Sequence, residues 1–352
     1  MTRVIRPLFV AALVLTLALA AGGCDFFRRD EPEATYPARE VPVVTPAVVL
    51  ADDAVLDQDD LCVWVHANRP ADSLIITSDK DAHRLFVYDL AGTRLQTIEM
   101  PQPGNIDLRY AFPLGGRKVD IVAVNQRTGG DRIRVFAVDM KTRRLARVDN
   151  DAIRTGENYG GTLYKSAKTG AFYFITTSMD GPCQQVELTD DGTGKVAGKI
   201  VRSWRAGYAE GAVADDARGR LYVAVEDEGV WELGAEPDDP TPGRRILRVG
   251  QHGLTADLEG LAIHPNLEGG PALVVSNQGS SNFKVFRLTD VAPLGTFGVA
   301  GARESDGVAV EPTNLGGAFT TGLFACHTAT EPRCPVLLVP WQRVADALQR
   351  SR

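Results

Sequence analysis

Two carboxylates, Asp257 and Glu259, stand one residue apart just ahead of Gly260 and the apolar run Leu261, Ala262, Ile263. In an extended strand, residues two apart point to the same side, so this pair is expected to share one face. Acid–Gly steps also occur at Glu210-Gly211 and Asp306-Gly307, 49 residues before Glu259 and 47 after it. Asp60 holds the matching place in an earlier stretch. If these acids meet, like charges about 4 Å apart at an effective dielectric near 20 repel by roughly 4 kcal/mol. They then need a cation between them. Hard carboxylate ligands without imidazole or thiolate favour Ca²⁺ over Mg²⁺. Glu226, in the run Glu226-Asp227-Glu228, adds carboxylate to the same rim. Lys80 and Arg127 each follow a strand candidate and cannot themselves bind a metal. Beside a carboxylate–metal cluster they are the groups that would hold the oxygens of a phosphate ester. Asp215-Asp216 and Asp238-Asp239 fall outside this alignment and read as solvated turns.

Other chemistries find no support. The chain has no His-Glu-x-x-His, no Gly-x-Ser-x-Gly and no phosphate-cradling Gly-rich loop. Arg69 and Arg333 stand one residue too far from Cys62 and Cys326 for a cysteine-phosphatase loop. The five His are scattered singly, and His252 reads as a surface residue.

The elements that must position these acids repeat. Short β-branched and aromatic runs begin at residues 74, 119, 172, 221, 273 and 323, at spacings of 45, 53, 49, 52 and 50. Each is followed by a polar turn and a partner strand. Ahead of each lies another strand that begins at a small polar cluster, near Asp60, Asp107, Tyr159-Gly160, Glu210, Glu259 and Asp306. Two markers keeping one six-fold rhythm, with almost no helical periodicity, predict an all-β fold, a six-bladed β-propeller. Residues 43–352 form this single domain. The stretch 43–50, despite Pro46, is expected to supply the outer strand of the last blade, and the residues from Trp341 a short terminal helix. Equivalent strand starts then point their acids at the axis of the ring.

Residues 1–23 carry Arg3 and Arg6 ahead of the apolar run 8–21 and end Ala20-Ala21-Gly22-Gly23-Cys24. This pattern resembles a bacterial lipoprotein signal with Cys24 as the acylated residue. The protein is therefore expected to be exported and membrane-anchored through lipidated Cys24, on the periplasmic or cell-surface side, with residues 24–42 as a tether. Removing residues 1–23 moves the formal charge from −7 to −9, because two Arg and no acids are lost. A chain this acidic is not built to hold nucleic acid. Cys62, Cys183, Cys326 and Cys334 remain, and Cys326 with Cys334 could close a short loop in an oxidising compartment.

Taken in order, several segments resemble the β-propeller phytases, calcium-dependent phosphatases of inositol hexakisphosphate. They are Asp59-Asp60, Asn105-Ile-Asp-Leu-Arg-Tyr, Asn125-Gln-Arg127, Tyr159-Gly160, Glu210-Gly-Ala-Val, Leu254-Thr-Ala-Asp-Leu-Glu-Gly, Gln278-Gly279 and Ser305-Asp306-Gly307. The resemblance covers nearly the whole mature chain. It implies that Glu210, Glu226, Asp257, Glu259 and Asp306, with Asp60, coordinate calcium. It further implies that Lys80, Arg127 and Tyr159 contact phosphate, and that a metal-activated water attacks phosphorus in line. The implied catalytic set is Glu210, Asp257, Glu259, Lys80, Arg127 and Tyr159, acting in a monomer on phytate or another phosphate ester as its calcium complex. The chain departs from the family at Met179, where a phosphate-binding Lys is usual. It departs again at the shortened loop 301–305 and at Cys326-His327-Thr328, where Gln-Asp-Gly is usual. Arg303 or His327 would be the candidates to replace lost charge. Smaller phosphate esters, or a non-catalytic role as a calcium-stabilised binding propeller, are the competing expectations.

Overall fold

Each repeat makes one antiparallel four-stranded sheet because its apolar residues alternate, burying both faces of the sheet between neighbours. The computed structural model describes residues 41–330 and 332–351; the signal, Cys24 and tether expectations on residues 1–40 lie outside them. Blade 1 comprises Gln58–Trp64, Leu74–Asp79, Arg84–Asp89 and Arg94–Glu99. Blade 2 comprises Pro103–Leu114, Arg117–Gln126, Arg132–Asp139 and Arg144–Arg147. Blade 3 runs through Gly161–Lys165, Phe172–Thr176, Cys183–Asp190 and Val196–Trp204. Blade 4 runs through Ala209–Asp215, Arg220–Val225, Gly229–Gly234 and Arg244–Arg248. Blade 5 has Leu258–Leu267, Gly270–Asn277, Asn282–Arg287 and Pro293–Val299. Blade 6 has Val308–Glu311, Leu323–His327 and Val336–Pro340. The first strands of successive blades touch in order, and that of blade 6 returns to that of blade 1, closing the ring.

Closure uses the N-terminal segment, with one change from expectation. Val48–Leu50 pairs antiparallel with Val336–Pro340 and completes blade 6, as the sequence predicts. Val43–Val44 does not continue that strand but pairs in parallel with the outer strand of blade 5. Pro46 lies between them, and its fixed φ and missing N–H break the ladder there. The helix Trp341–Ser351 forms as expected and buries Trp341, Val344, Ala347 and Leu348, the stripe a helical period dictates.

The cores lie between blades. Trp64, Ile76, Val124 and Phe136 fill the gap between blades 1 and 2, and Phe283, Phe297 and Phe324 that between blades 5 and 6. Cys62, Cys183 and Cys326 are buried thiols in no disulfide, so the Cys326–Cys334 bridge that the spacing allows is not formed. Cys326 packs instead into the apolar cluster of blades 5 and 6.

The reading of Asp216 as a solvated turn is also corrected. Arg109 donates to both Asp216 oxygens, at 2.7 and 3.1 Å, to Asp107 Oδ2 at 2.9 Å and to the Leu163 carbonyl at 2.5 Å. One guanidinium thus ties blades 2, 3 and 4 together at the inner strands. Arg109→Ala is expected to destabilise the protein by about 3–5 kcal/mol, because it takes the paired cation from two half-buried carboxylates and leaves them only neutral hydrogen-bond donors. Urea denaturation checks this, and a loss below about 1 kcal/mol would contradict it.

Candidate active site

Four of the six strand starts are built alike, and the reason is steric. A Cβ added to Gly160 would sit 2.2 Å from the Glu210 carbonyl, and one on Gly211 2.0 Å from the Glu259 carbonyl. The same holds for Gly260 against the Asp306 carbonyl, at 2.3 Å, and Gly307 meets Asp59 and Asp60. Each residue before these glycines therefore lies where the next blade's equivalent residue approaches the axis. Backbone bonds from Gly260 N to Asp306 O and from Gly307 N to Asp59 O, both 3.0 Å, lock two of the steps. Tyr159, Glu210, Glu259, Asp306 and Asp59 consequently form one rim.

Asp60 is not part of that rim. The inner strand of blade 1 bulges between Gln58 and Leu61, as those of blades 4 and 5 do between Ala209 and Ala212 and between Leu258 and Leu261, so Asp59 stands level with Glu210 and Glu259, and Asp60 with Gly211 and Gly260. Asp60 faces the other way: it accepts the Ile106 N–H at 3.1 Å and lines an axial cavity of about 480 Å³ bounded by the inner strands. Burial pushes its carboxyl well above the ordinary range, with Asp59 and Asp107 adding to the effect. Asp107 likewise lies inside its strand and serves Arg109, and the blade-2 bulge sits earlier, between Pro103 and Ile106.

The rim has two halves. In the acidic half, Glu210, Glu226 and Glu259 offer carboxylate oxygens all within 4.8 Å of one another. Burial raises Glu210 to about 7 against the opposing pull of Arg127. Burial, with Glu210 and Asp257 nearby, raises Glu226 to about 8. Glu259 is pushed well above its usual value by burial and by Glu210 and Glu226. Asp257 is exposed and precedes the strand, which begins at Leu258, so strand alternation does not pair it with Glu259. It nonetheless acts on Glu226 through its charge. Of the neighbouring acids, Glu228 turns away to Arg245 at 3.3 Å.

In the basic half, Lys80 Nζ contacts Asp306 Oδ2 at 2.9 Å, Asp59 Oδ1 at 3.1 Å and Asp57 Oδ2 at 3.2 Å. Arg127 reaches Asp59 at 2.9 Å and also Glu210, donates from Nε to the Tyr159 carbonyl at 2.6 Å, and lies 4.8 Å over the Tyr159 ring. Burial works to lower both cations, but the surrounding carboxylates outweigh it and raise them. Both stay charged. Asp59, almost fully buried, is held below its usual value because Arg127 and Lys80 outweigh its desolvation. Tyr159 is raised by burial and by Glu210 and Glu259, so its hydroxyl keeps its proton.

A scan against family models matches residues 8–350 to the family described as Phytase. The chain belongs to the phytase family. It is 38% identical over 301 residues to a 3-phytase of Bacillus subtilis (strain 168), an alignment spanning 80% of this chain and 76% of that one. Among solved structures it resembles regucalcin, titled a calcium-binding protein, from Agrobacterium tumefaciens str. C58. The TM-score is 0.53 at 12% identity over 85% of this chain and 95% of that one, a likeness of fold.

The residues of this phytase-family chain fit a hard divalent cation. Glu226 Oε1 and Glu259 Oε2 are buried without a hydrogen-bond partner, and the three adjacent carboxyls are raised because burial and their mutual repulsion outweigh Arg127, the cation paired with Glu210. Oxygen donors alone make up the cluster, the preference of Ca²⁺ or Mg²⁺. The structure also brings in residues that spacing alone did not single out. Asp59 and Asp57 hold Lys80, and Gln278 donates to Asp306 Oδ1 at 2.7 Å. Tyr208 packs edge-on against Tyr159, with ring centroids 5.7 Å apart. The adjacent Asp59-Asp60 pair was the available signal, but choosing between the two required the strand register, which sets Asp59 level with Glu210 and Glu259. Met179 is exposed and its amide binds Glu157, so its side chain brings no cation. Arg303 is exposed, whereas His327 is buried against Asp57 and Asp306.

Proposed function

We propose that this chain is a calcium-dependent phosphomonoesterase, a phytase acting on myo-inositol hexakisphosphate. The observation that carries the reading is the two-part rim, in which a cluster of raised carboxylates, two of them with a buried oxygen lacking any partner, adjoins two permanently charged cations. Calcium held by Glu210, Glu226 and Glu259, with Asp257 and Asp306 alongside, would supply the positive charge that polarises a phosphoryl group and lowers the pKa of water. The protein's own groups do the rest. Lys80 and Arg127 neutralise the non-reacting phosphate oxygens, and Arg127 is oriented for this by its stack on Tyr159 and its bond to the Tyr159 carbonyl. Tyr159, still protonated, offers a hydroxyl donor beside Glu210. The lipoprotein-type leader supports an exported enzyme, anchored in the membrane through Cys24 and facing the periplasm or cell exterior, that works as a monomer.

A second reading, smaller phosphate esters as the substrate, is favoured by Met179, whose uncharged side chain offers a polyphosphorylated ring no anchoring cation. One experiment separates the readings. Phosphate release is measured from calcium–phytate and from an aryl phosphate, with and without chelator, for the wild type and Glu210→Ala. Release from phytate that disappears with chelator and in Glu210→Ala is expected. Release from the aryl ester alone would overturn the phytate assignment, and release from neither would overturn the enzyme reading.

A further inference from the structure

His327 ends the second strand of blade 6 and is 1% exposed. Its two ring nitrogens meet opposite kinds of partner. Nδ1 accepts the Asp306 backbone N–H at 3.0 Å, so it carries no proton. A ring proton is therefore carried on Nε2, which lies 3.3 Å from Asp57 Oδ1, near it but outside hydrogen-bond geometry. Asp57 and Asp306 are two of the three carboxylates that hold the Lys80 ammonium. Asp57 precedes the inner strand of blade 1 and Asp306 that of blade 6, so the imidazole spans the closure of the ring.

We propose that His327 is a positioning residue for Lys80, acting through Asp57 and Asp306. Its ring sets the spacing of the two carboxylates, and they aim the ammonium at the rim. This rests on the reading of Lys80 as the cation that holds phosphate. The surroundings also suggest a competing use: Asp57, His327 and Cys334 offer ligand atoms within 4.8 Å of one another, a donor set that suits zinc elsewhere. Here the tautomer opposes it. A metal at Nε2 would need the proton that Nδ1, already facing an N–H, cannot take up, and Lys80 already occupies Asp57.

The test compares His327→Ala with His327→Gln, since a Gln amide can accept from Asp306 N and donate to Asp57. His327→Ala is expected to raise KM for a phosphate ester about tenfold with kcat changed less than about threefold, while His327→Gln stays within about threefold of wild type in both. Nitrogen-15 spectra of histidine-labelled protein should show the Nε2–H tautomer at this residue. An unchanged KM in His327→Ala, a His327→Gln no better than His327→Ala, or an Nδ1–H tautomer would overturn the proposal. So would stoichiometric zinc binding lost in His327→Ala. A wild type without phosphatase activity would count against the proposed function, and the tautomer measurement would still decide the role of His327.

Discussion

Arg127→Met is expected to lower kcat/KM for phosphate release by about 10²–10³-fold, the loss typical of removing one preorganised charge-stabilising donor. The guanidinium is committed on every side, to Asp59, to Glu210 and to the carbonyl and ring of Tyr159. Removing it takes a cation from the phosphate-holding half and at the same time leaves buried Glu210 without its cation and buried Asp59 with Lys80 alone. The second effect acts on stability, about 3–5 kcal/mol for a broken buried pair. Arg127→Lys separates the two: it restores a positive charge near Asp59 but cannot reproduce a planar fork stacked on an aromatic ring. Its stability should recover more than its kcat/KM. Steady-state kinetics and thermal melts on the two variants check this, and a fully active Arg127→Lys would contradict the stacked, forked role.

Removal of divalent cations is expected to make the protein lose stability as pH rises. A carboxyl raised in the native state keeps its proton where the unfolded chain has already lost it. Stability from Glu210 and Glu226 is therefore complete below the ordinary value of 4.5 and falls as pH rises toward about 7 and about 8. Glu210 alone, raised from 4.5 to about 7, corresponds to roughly 3 kcal/mol. Asp57 and Asp59 are lowered and act in the opposite sense, but below their ordinary value of 3.8, outside this window. In chelator, Tm should drop between pH 5 and pH 8.5. Added calcium should remove most of the drop, with a larger rescue at the higher pH because the cation replaces protons on the same oxygens. A chelated protein whose Tm rises with pH over this range would contradict the clustered carboxyls.

The six-fold architecture was legible because a propeller writes itself twice along the chain. The apolar second strands and the polar strand starts each recur at a spacing set by the length of a blade, and the six blades fall where the sequence places them, except that the blade-2 strand begins at Pro103, ahead of Asp107. Chemistry at the rim was legible for the same reason, since Glu210, Glu259 and Asp306 occupy equivalent positions and only glycine fits after each. What escaped the sequence were single-residue distinctions. The spacing of the strand starts assigns Asp60 to the rim, yet in the strand register Asp59 is level with Glu210 and Glu259, and Asp60 takes the place of Gly211 and Gly260. Alternation pairs Asp257 with Glu259, yet the strand begins after Asp257.

The sequence alone determined the repeat, the acids it delivers to one rim, and the presence of Lys80 and Arg127 beside them. These follow from residue type and period, which need no partner to be seen. The tertiary structure decided which acid stands against which cation. Lys80 meets Asp306 across 226 residues and Arg127 meets Glu210 across 83. Contacts of that reach exist only after the ring closes and neighbouring blades bring their strand starts to the axis.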